Sequence, residues 1–305
     1  MLERMHPLRA GLEGLIDYAG LFPPAALPFD EALASVERHA RAPERWMLGR
    51  FVLPVQQLRD LHARVETSPP VARSWAVSLL ADAADPVERN LEIVSHFAER
   101  LQPLGVRVEA LEFGGADVEA VARIGRLAPA ALDRFVEVPP AGATPRLLDA
   151  IREAGCFAKI RTGGVTADRF PPASELAAFI AACAARSLPF KATAGLHHPL
   201  RGRYRLTYEA DAHQALMHGF LNLLLAATLV HTGRGGAIEA EILLEADDPR
   251  QFSFAESRLC WGGRGFSTGD IAAARRTLLR SVGSCSFEEP VSELRRVFAY
   301  DASAS

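Results

Sequence analysis

Lysine is almost missing from this chain. Of its 34 basic residues only two are lysine, at positions 159 and 191, and the remaining 32 are arginine. Cysteine is scarce as well: four residues, at 156, 183, 260 and 285, form no CxxC pair and no regular spacing. They read as reduced thiols of a cytoplasmic protein, not as a disulfide framework or a zinc knot. No apolar leader opens the chain, which begins Met1-Leu2-Glu3-Arg4-Met5-His6-Pro7. The longest apolar stretch, Ala215 to Val230, is interrupted by His218, Gly219 and Asn222 and is too short and too polar to span a membrane. Neither sign of charge dominates. The net charge is −3 with both signs scattered, which gives no footing to a nucleic-acid or membrane-surface partner. No internal repeat or low-complexity linker is present. What is left, 305 residues with 49% hydrophobic and 23% charged content, is ordinary for a folded globular protein, and one large domain accommodates it.

The lysine scarcity carries information. Arginine has replaced lysine wherever a plain positive charge suffices, so the two survivors are expected at positions where guanidinium does not serve. A buried amine can shed its proton, whereas guanidinium cannot. Both survivors sit in near-identical settings, a short apolar strand running into a Thr/Gly turn: Phe157-Ala158-Lys159-Ile160-Arg161-Thr162-Gly163-Gly164 and Pro189-Phe190-Lys191-Ala192-Thr193-Ala194-Gly195.

Strand-like runs alternate with amphipathic helices along most of the chain, the pattern of βαβ units and a parallel sheet. Strands are expected at 14–17, 49–54, 74–79, 106–113 and 134–138, then around Lys159 and around Lys191. Helices are expected between them, the clearest at 29–39, 86–101, 144–153 and 174–185. A long apolar helix is expected over about 212–231. Further on, either 238–244 or 252–260 reads as an extra strand, before a final strand near 279–283 and a closing helix near 290–298. The tail Asp301 to Ser305 reads as polar and mobile. Seven regular βα units favour a single (β/α)8 TIM barrel with an insertion after strand seven, at about residues 200–261. No GxGxxG turn follows the first strand, which weighs against a dinucleotide-binding sheet.

A parallel barrel carries its chemistry at the carboxyl ends of its strands. Those ends here hold Asp17, Glu112, Glu137, Lys159, Arg161, Thr162, Lys191, Thr193, His197 and His198. The lysines are one βα unit apart, so they are expected at matching height on adjacent strands about 5 Å apart. Mutual repulsion and burial would both lower their pKa values, and a neutral amine attacks a carbonyl to form a Schiff base. Arg161, on the same strand face as Lys159, suits a substrate carboxylate or phosphate, or else pairs with Glu137. Glu112 and Glu137 read as general acid/base groups or as counter-ions to the lysines. Asp17 reads as a proton relay or a turn cap. Thr162-Gly163-Gly164, Thr193, Gly195, Ser284 and Ser286 offer amides and hydroxyls to an anion. His197 and His198, adjacent in sequence, point different ways, so one of them at most faces the site. His213, His218 and Asn222 are expected in core or interface roles. Cys285 is either a nucleophile or a small buried residue.

The order of these motifs resembles the deoxyribose-phosphate aldolase family, class I aldolases on a (β/α)8 barrel. Leu15-Ile16-Asp17 is similar to that family's first strand, and Phe51-Val52-Leu53-Pro54 to its second. Lys159-Ile160-Arg161-Thr162-Gly163 resembles its Schiff-base strand, and Lys191-Ala192-Thr193-Ala194-Gly195 its second lysine motif. Gly283-Ser284-Cys285-Ser286 resembles its terminal phosphate loop. The resemblance implies that Lys159 forms the imine, that Lys191 depresses its pKa, that Asp17 belongs to the proton relay, and that Glu112 lies near the strand-four acid. Arg161 stands where the family has a small hydroxyl residue and His197-His198-Pro199 has no counterpart, so the substrate is not carried over.

Three readings result. The first is a Schiff-base aldolase or lyase acting on a small anionic carbonyl compound, with no cofactor. The second is a metal-dependent lyase or isomerase using Glu112, Glu137 and one of His197 or His198, although no HxH or HExxH spacing supports it. The third is a non-catalytic barrel whose lysines grip an anion. A homo-oligomer is left open in each.

Overall fold

The computed structural model describes residues 7–67, 75–115, 117–139 and 143–298. Ser74 and the tail from Asp301 lie outside the described residues. In chain order the elements begin with α1 (Pro7–Leu12), β1 (Ile16–Tyr18), α2 (Phe29–His39), β2 (Leu48–Pro54), α3 (Leu58–Thr67) and β3 (Trp75–Leu80). They continue with α4 (Val87–Leu101), β4 (Val106–Phe113), α5 (Val118–Leu127), β5 (Asp133–Val138), α6 (Pro145–Glu153) and β6 (Phe157–Arg161). Next come α7 (Ala173–Ala185), β7 (Phe190–Thr193), β8 (Gly202–Arg205), β9 (Gln214–Met217), α8 (Phe220–His231) and α9 (Ala237–Glu245). The chain closes with β10 (Phe252–Ala255), β11 (Arg258–Trp261), β12 (Arg264–Ser267), α10 (Thr268–Thr277), β13 (Leu279–Ser284) and α11 (Glu288–Phe298).

Eight parallel strands close a barrel in the order β1-β13-β7-β6-β5-β4-β3-β2. This is a (β/α)8 TIM barrel. Strand alternation separates two faces. Ala158, Ile160, Phe190 and Ala192 are buried against the outer helices, Phe190 edge-on to Phe179 of α7 at 5.3 Å. Their alternates, Lys159, Lys191 and Thr193, turn to the interior. Local signals fix the helices: Thr144 and Asp117 accept hydrogen bonds from the backbone of the first turns of α6 and α5.

The last third departs from the sequence-based expectation. The helix expected from residue 212 begins only at Phe220, because residues 214–217 pair with 202–205 as an antiparallel hairpin, β8–β9. Within β9, Gln214 and Leu216 are exposed while Ala215 and Met217 are buried, a strand period hidden in an apolar run. Residues 238–244, one of the two stretches read as a possible strand, are helical, and Glu239 accepts a hydrogen bond from the Gly236 amide at the start of α9. The other stretch does contain strands, in a three-stranded antiparallel sheet, β10-β11-β12, that packs against α1. α8 takes the place of the helix after β7, packed between α7 and α10 and covered by α9.

Asn222, fully buried on α8, accepts from the Arg201 amide at 3.0 Å and donates to the Leu243 and Ala246 carbonyls at 2.8 and 2.7 Å. It ties the end of α9 to the barrel, a core role. His218 hydrogen-bonds the Pro171 carbonyl at 2.8 Å. The four cysteines are free, and among the described residues no helix is long and apolar enough to cross a membrane.

Candidate active site

The barrel interior is charged where most barrels stack branched aliphatic residues. β6 pairs with β7 so that Lys159 is the direct partner of Lys191, and β5 pairs with β6 so that Glu137 is the partner of Lys159. Glu112 comes from β4 and bridges the two amines: one oxygen lies 2.7 Å from Lys191 Nζ, the other 3.0 Å from Lys159 Nζ. Glu137 lies 3.1 Å from Lys159 Nζ. Asp17 lies 2.6 Å from Lys191 Nζ. Ser78 donates to Glu112 at 2.6 Å and Ser281 to Asp17 at 2.7 Å, while the Arg50 amide donates to the other Asp17 oxygen at 2.9 Å. Two ammonium groups therefore sit among three carboxylates, in one chain of contacts from Glu137 to Ser281. Gly49 makes room for it, since a Cβ there would fall 2.4 Å from an Asp17 oxygen.

The electrostatics divide the lysines. Burial on its own would drive Lys191 toward the neutral amine, but Asp17 and Glu112 more than offset this, and its pKa is raised. The expectation that repulsion and burial push both amines toward neutrality is therefore corrected for Lys191, which is locked as a cation. Burial would likewise raise the Glu112 carboxyl, yet Lys191 and Lys159, helped by hydrogen bonds from Lys191 and Ser78, hold it well below the usual carboxylate range. Lys191 is 0% exposed, whereas Lys159 keeps a small opening and the Glu137 side chain is 23% exposed. Lys159 and Glu137 form the outer end of the network and Asp17 the inner end. Asp17 thus lies beneath Lys191 in the barrel floor, and not at the rim where a strand-end relay was expected.

Above the lysine strands lies a second cavity of about 280 Å³, lined by Gly164, Gly195, His197, Tyr208 and Glu289 among others. Gly164 and Gly195 belong to the turns after β6 and β7, and the β8–β9 hairpin supplies Tyr204, Arg205 and Met217 as a roof. Gly195 has φ of +75°, and a Cβ there would meet the Phe170 ring at 2.6 Å, as would one on Gly163. These two glycines seat Phe170. The Thr162 hydroxyl donates to the carbonyls of Thr193 and Ala194, so it is committed to the fold and not offered to an anion. Thr193 differs: its Oγ1 is buried and finds no partner among the described residues. Arg161 is exposed at the rim and pairs with no carboxylate among the described residues, Glu137 having gone to Lys159.

Both histidines line the cavity, which corrects the expectation that one of them at most faces the site. His198 lies 2.7 Å from Glu293 and stacks on Tyr204, the ring centroids 3.3 Å apart. His197 faces the cavity, 2.8 Å from Ser284 Oγ and 3.9 Å from Cys285 Sγ. Ser284 also accepts from the Ser286 amide, and Ser286 Oγ accepts from the Glu289 amide, so this loop is largely self-satisfied. Burial pushes the Cys285 thiol up, which disfavours a thiolate nucleophile. Tyr208, Glu289, Ser78 and Ser281 are site residues that sequence reasoning missed. Ser78 had a signal, since it is a lone hydroxyl in an apolar strand at an inward position.

Burial, with added repulsion from His198, brings His197 from 6.5 down to about 4. Its folded pKa lies below the unfolded one, so on acidification the unfolded chain takes up the proton first. The stability linked to this imidazole is complete above pH 6.5 and is lost as pH falls toward about 4. Urea midpoints should fall across that interval, and His197→Gln should flatten the fall. An identical profile in the variant would show that His197 is not responsible.

No family model and no curated protein matches this chain. Among solved structures, a lysine/ornithine decarboxylase from Vibrio vulnificus, complexed with cadaverine, is similar at 10% identity, over 84% of this chain and 68% of that one, with a TM-score of 0.26. A likeness that loose carries no functional argument.

Proposed function

We propose that this barrel is a Schiff-base lyase of the aldolase type acting on a small anionic carbonyl compound, with Lys159 as the nucleophile. The observation that carries the reading is the asymmetry of the two amines. Lys191 is sealed and held charged by two carboxylates, whereas Lys159 keeps a small exposure of its own and pairs with Glu137, the more exposed carboxylate of the network. Lys159 gives its ammonium proton to Glu137, the neutral amine adds to the carbonyl carbon, a nitrogen proton moves to the new alkoxide to give the carbinolamine, and Glu137 returns its proton to the departing hydroxyl. Glu112 is the poorer acceptor, because Lys191 holds it ionised. Loss of water gives the iminium; Glu137 takes the proton of the substrate's β-hydroxyl as the carbon–carbon bond breaks, the first carbonyl product leaves, and the electron pair of the bond enters the iminium as an enamine. Reprotonation of the enamine carbon and hydrolysis release the second product and restore the amine.

Two features suit an anionic carbonyl substrate. Arg161 at the rim and Arg205 in the roof are cations with no carboxylate partner among the described residues. The unpartnered Thr193 hydroxyl, two residues beyond Lys191 and on the same strand face, suits a substrate oxygen. Two ammonium groups among three carboxylates leave no spare positive charge at the lysines, which argues against a barrel that merely grips an anion there. The metal reading requires a histidine beside Glu112 and Glu137, but His197 and His198 are engaged with Ser284 and Glu293. Among the described residues no group of three or more His, Cys, Asp or Glu side chains is placed to hold a metal ion.

Borohydride reduction in the presence of a panel of small aldehydes and keto acids tests the proposal. Mass should be added at Lys159 by at least one member; a panel that leaves Lys159 unmodified, or labels only another amine, overturns it. Thr193→Val supplies a finer test. Removing a buried unpaired hydroxyl should leave stability unchanged or slightly raised, while KM for the trapped substrate rises several-fold. An unchanged KM would remove Thr193 from the binding site.

A further inference from the structure

A cavity of about 920 Å³ lies at the opposite end of the barrel from the turns after the lysine strands, at the amino ends of the strands. Its walls come from α1, the turn before β2, the first residues of β2 to β4, and α10 with the start of β13. Seven of its lining residues are arginines and three are carboxylates. The carboxylates are already shared. Asp17 is held by Lys191, Glu13 pairs with Arg9, Glu109 serves both Arg50 and Arg107, and Asp133 behind the wall serves both Arg50 and Arg280. Arg45, Arg275 and Arg276 have no carboxylate partner among the described residues. For a chain of net charge −3 this is a concentrated excess of positive charge, and a concave low-dielectric wall focuses its field.

Two further observations point to a ligand. Trp46, Trp75 and Arg275 all line the cavity, and the ring N–H of each tryptophan and the Nε–H of Arg275 are buried donors without an acceptor. Trp75 is only 4% exposed, so water does not readily satisfy it. Burial, together with Arg280 and Arg50 and against the pull of Asp17, brings the Arg275 guanidinium down to about 10, still charged at neutral pH but in surroundings short of negative charge.

We infer that this cavity binds a small polyanion bearing at least two phosphate or carboxylate groups. Planar guanidinium forks meet such groups two hydrogen bonds at a time; Arg275 already donates through its terminal nitrogens to the carbonyls of Glu13, Leu279 and Arg280, so the forks left to an anion come from separate elements, Arg45 before β2 and Arg276 on α10. A ligand with two anionic groups can engage both walls at once. The volume lies within the range of small-molecule sites.

The test is calorimetric titration of the full chain with inorganic pyrophosphate and, separately, citrate, alongside tryptophan fluorescence, since two of the three tryptophans line the cavity. Saturable one-to-one binding of either probe is expected, weakening with added salt, and the preferred probe tells phosphate from carboxylate. The double variant Arg45→Ala/Arg276→Ala should weaken it at least tenfold. Both side chains are exposed, so the fold is expected to survive, with an unchanged melting temperature as the check. Arg123→Ala, on the outer face of α5, should leave binding unaltered. Absence of saturable binding at millimolar probe, or binding indifferent to the double variant, overturns the inference. Neither result bears on imine formation at Lys159, which is read separately by borohydride trapping.

Discussion

Lys159→Arg is expected to reduce turnover by about 10⁴-fold or more, while the protein stays folded. Arginine keeps the positive charge between Glu112 and Glu137, so the ion pairs that hold the barrel interior survive in kind. What it removes is an amine able to lose its proton and add to a carbonyl. The substitution therefore separates chemistry from electrostatics. A barrel that uses the lysines only as counter-ions would keep most of its function with arginine at 159. Retention of more than about a tenth of wild-type activity, measured on the substrate that traps at Lys159, would end the covalent mechanism.

Lys191→Met should act mainly on stability. The ammonium is fully buried and is the shared partner of Asp17 and Glu112. Its removal strands Asp17 in the barrel interior and leaves Glu112 with Lys159 alone, and breaking a buried pair from one side costs about 3–5 kcal/mol. Urea denaturation should show a loss of that size. Adding Asp17→Asn should recover part of it, because one stranded charge is then gone. A loss under about 1 kcal/mol, or no recovery in the double variant, would mean that the three groups are not coupled as the distances imply. The linkage to pH has a definite sign. Glu112 has its carboxyl pKa depressed on folding, so its contribution is complete above the ordinary carboxylate range and is lost as pH falls through the folded value. In Lys191→Met one of the two cations responsible for that depression is absent, and the acid sensitivity should shrink accordingly.

How far the site is legible without coordinates depends on the residue. The lysine pair is legible because two rare side chains recur in matched strand-turn contexts, and the register of adjacent strands then places them side by side. Glu137 follows by the same register. Asp17 is misjudged, since the end of a strand in sequence is not the top of the barrel. β1 has three residues and Asp17 is its middle one, level with Gly283, so its side chain points down to Ser281 and Lys191. Thr162 is misjudged for another reason: a hydroxyl in a turn often serves its own backbone, and here it caps the carbonyls of the neighbouring turn. The stretch 212–217 hides its alternation because a buried hairpin edge and an apolar helix share composition and differ only in period.

The Phe220–His231 helix has one more consequence. It is apolar on every side, with Phe220 through Leu229 all buried, so it has no wet face of its own. Residues 237–245 roof it, and Asn222 rivets that roof by two carbonyl contacts. A truncation or circular permutation that opens the chain between 232 and 246 would leave a greasy rod at the barrel wall. Such shortened forms are expected to aggregate on expression, whereas cuts in the polar 207–213 hairpin tip should be tolerated.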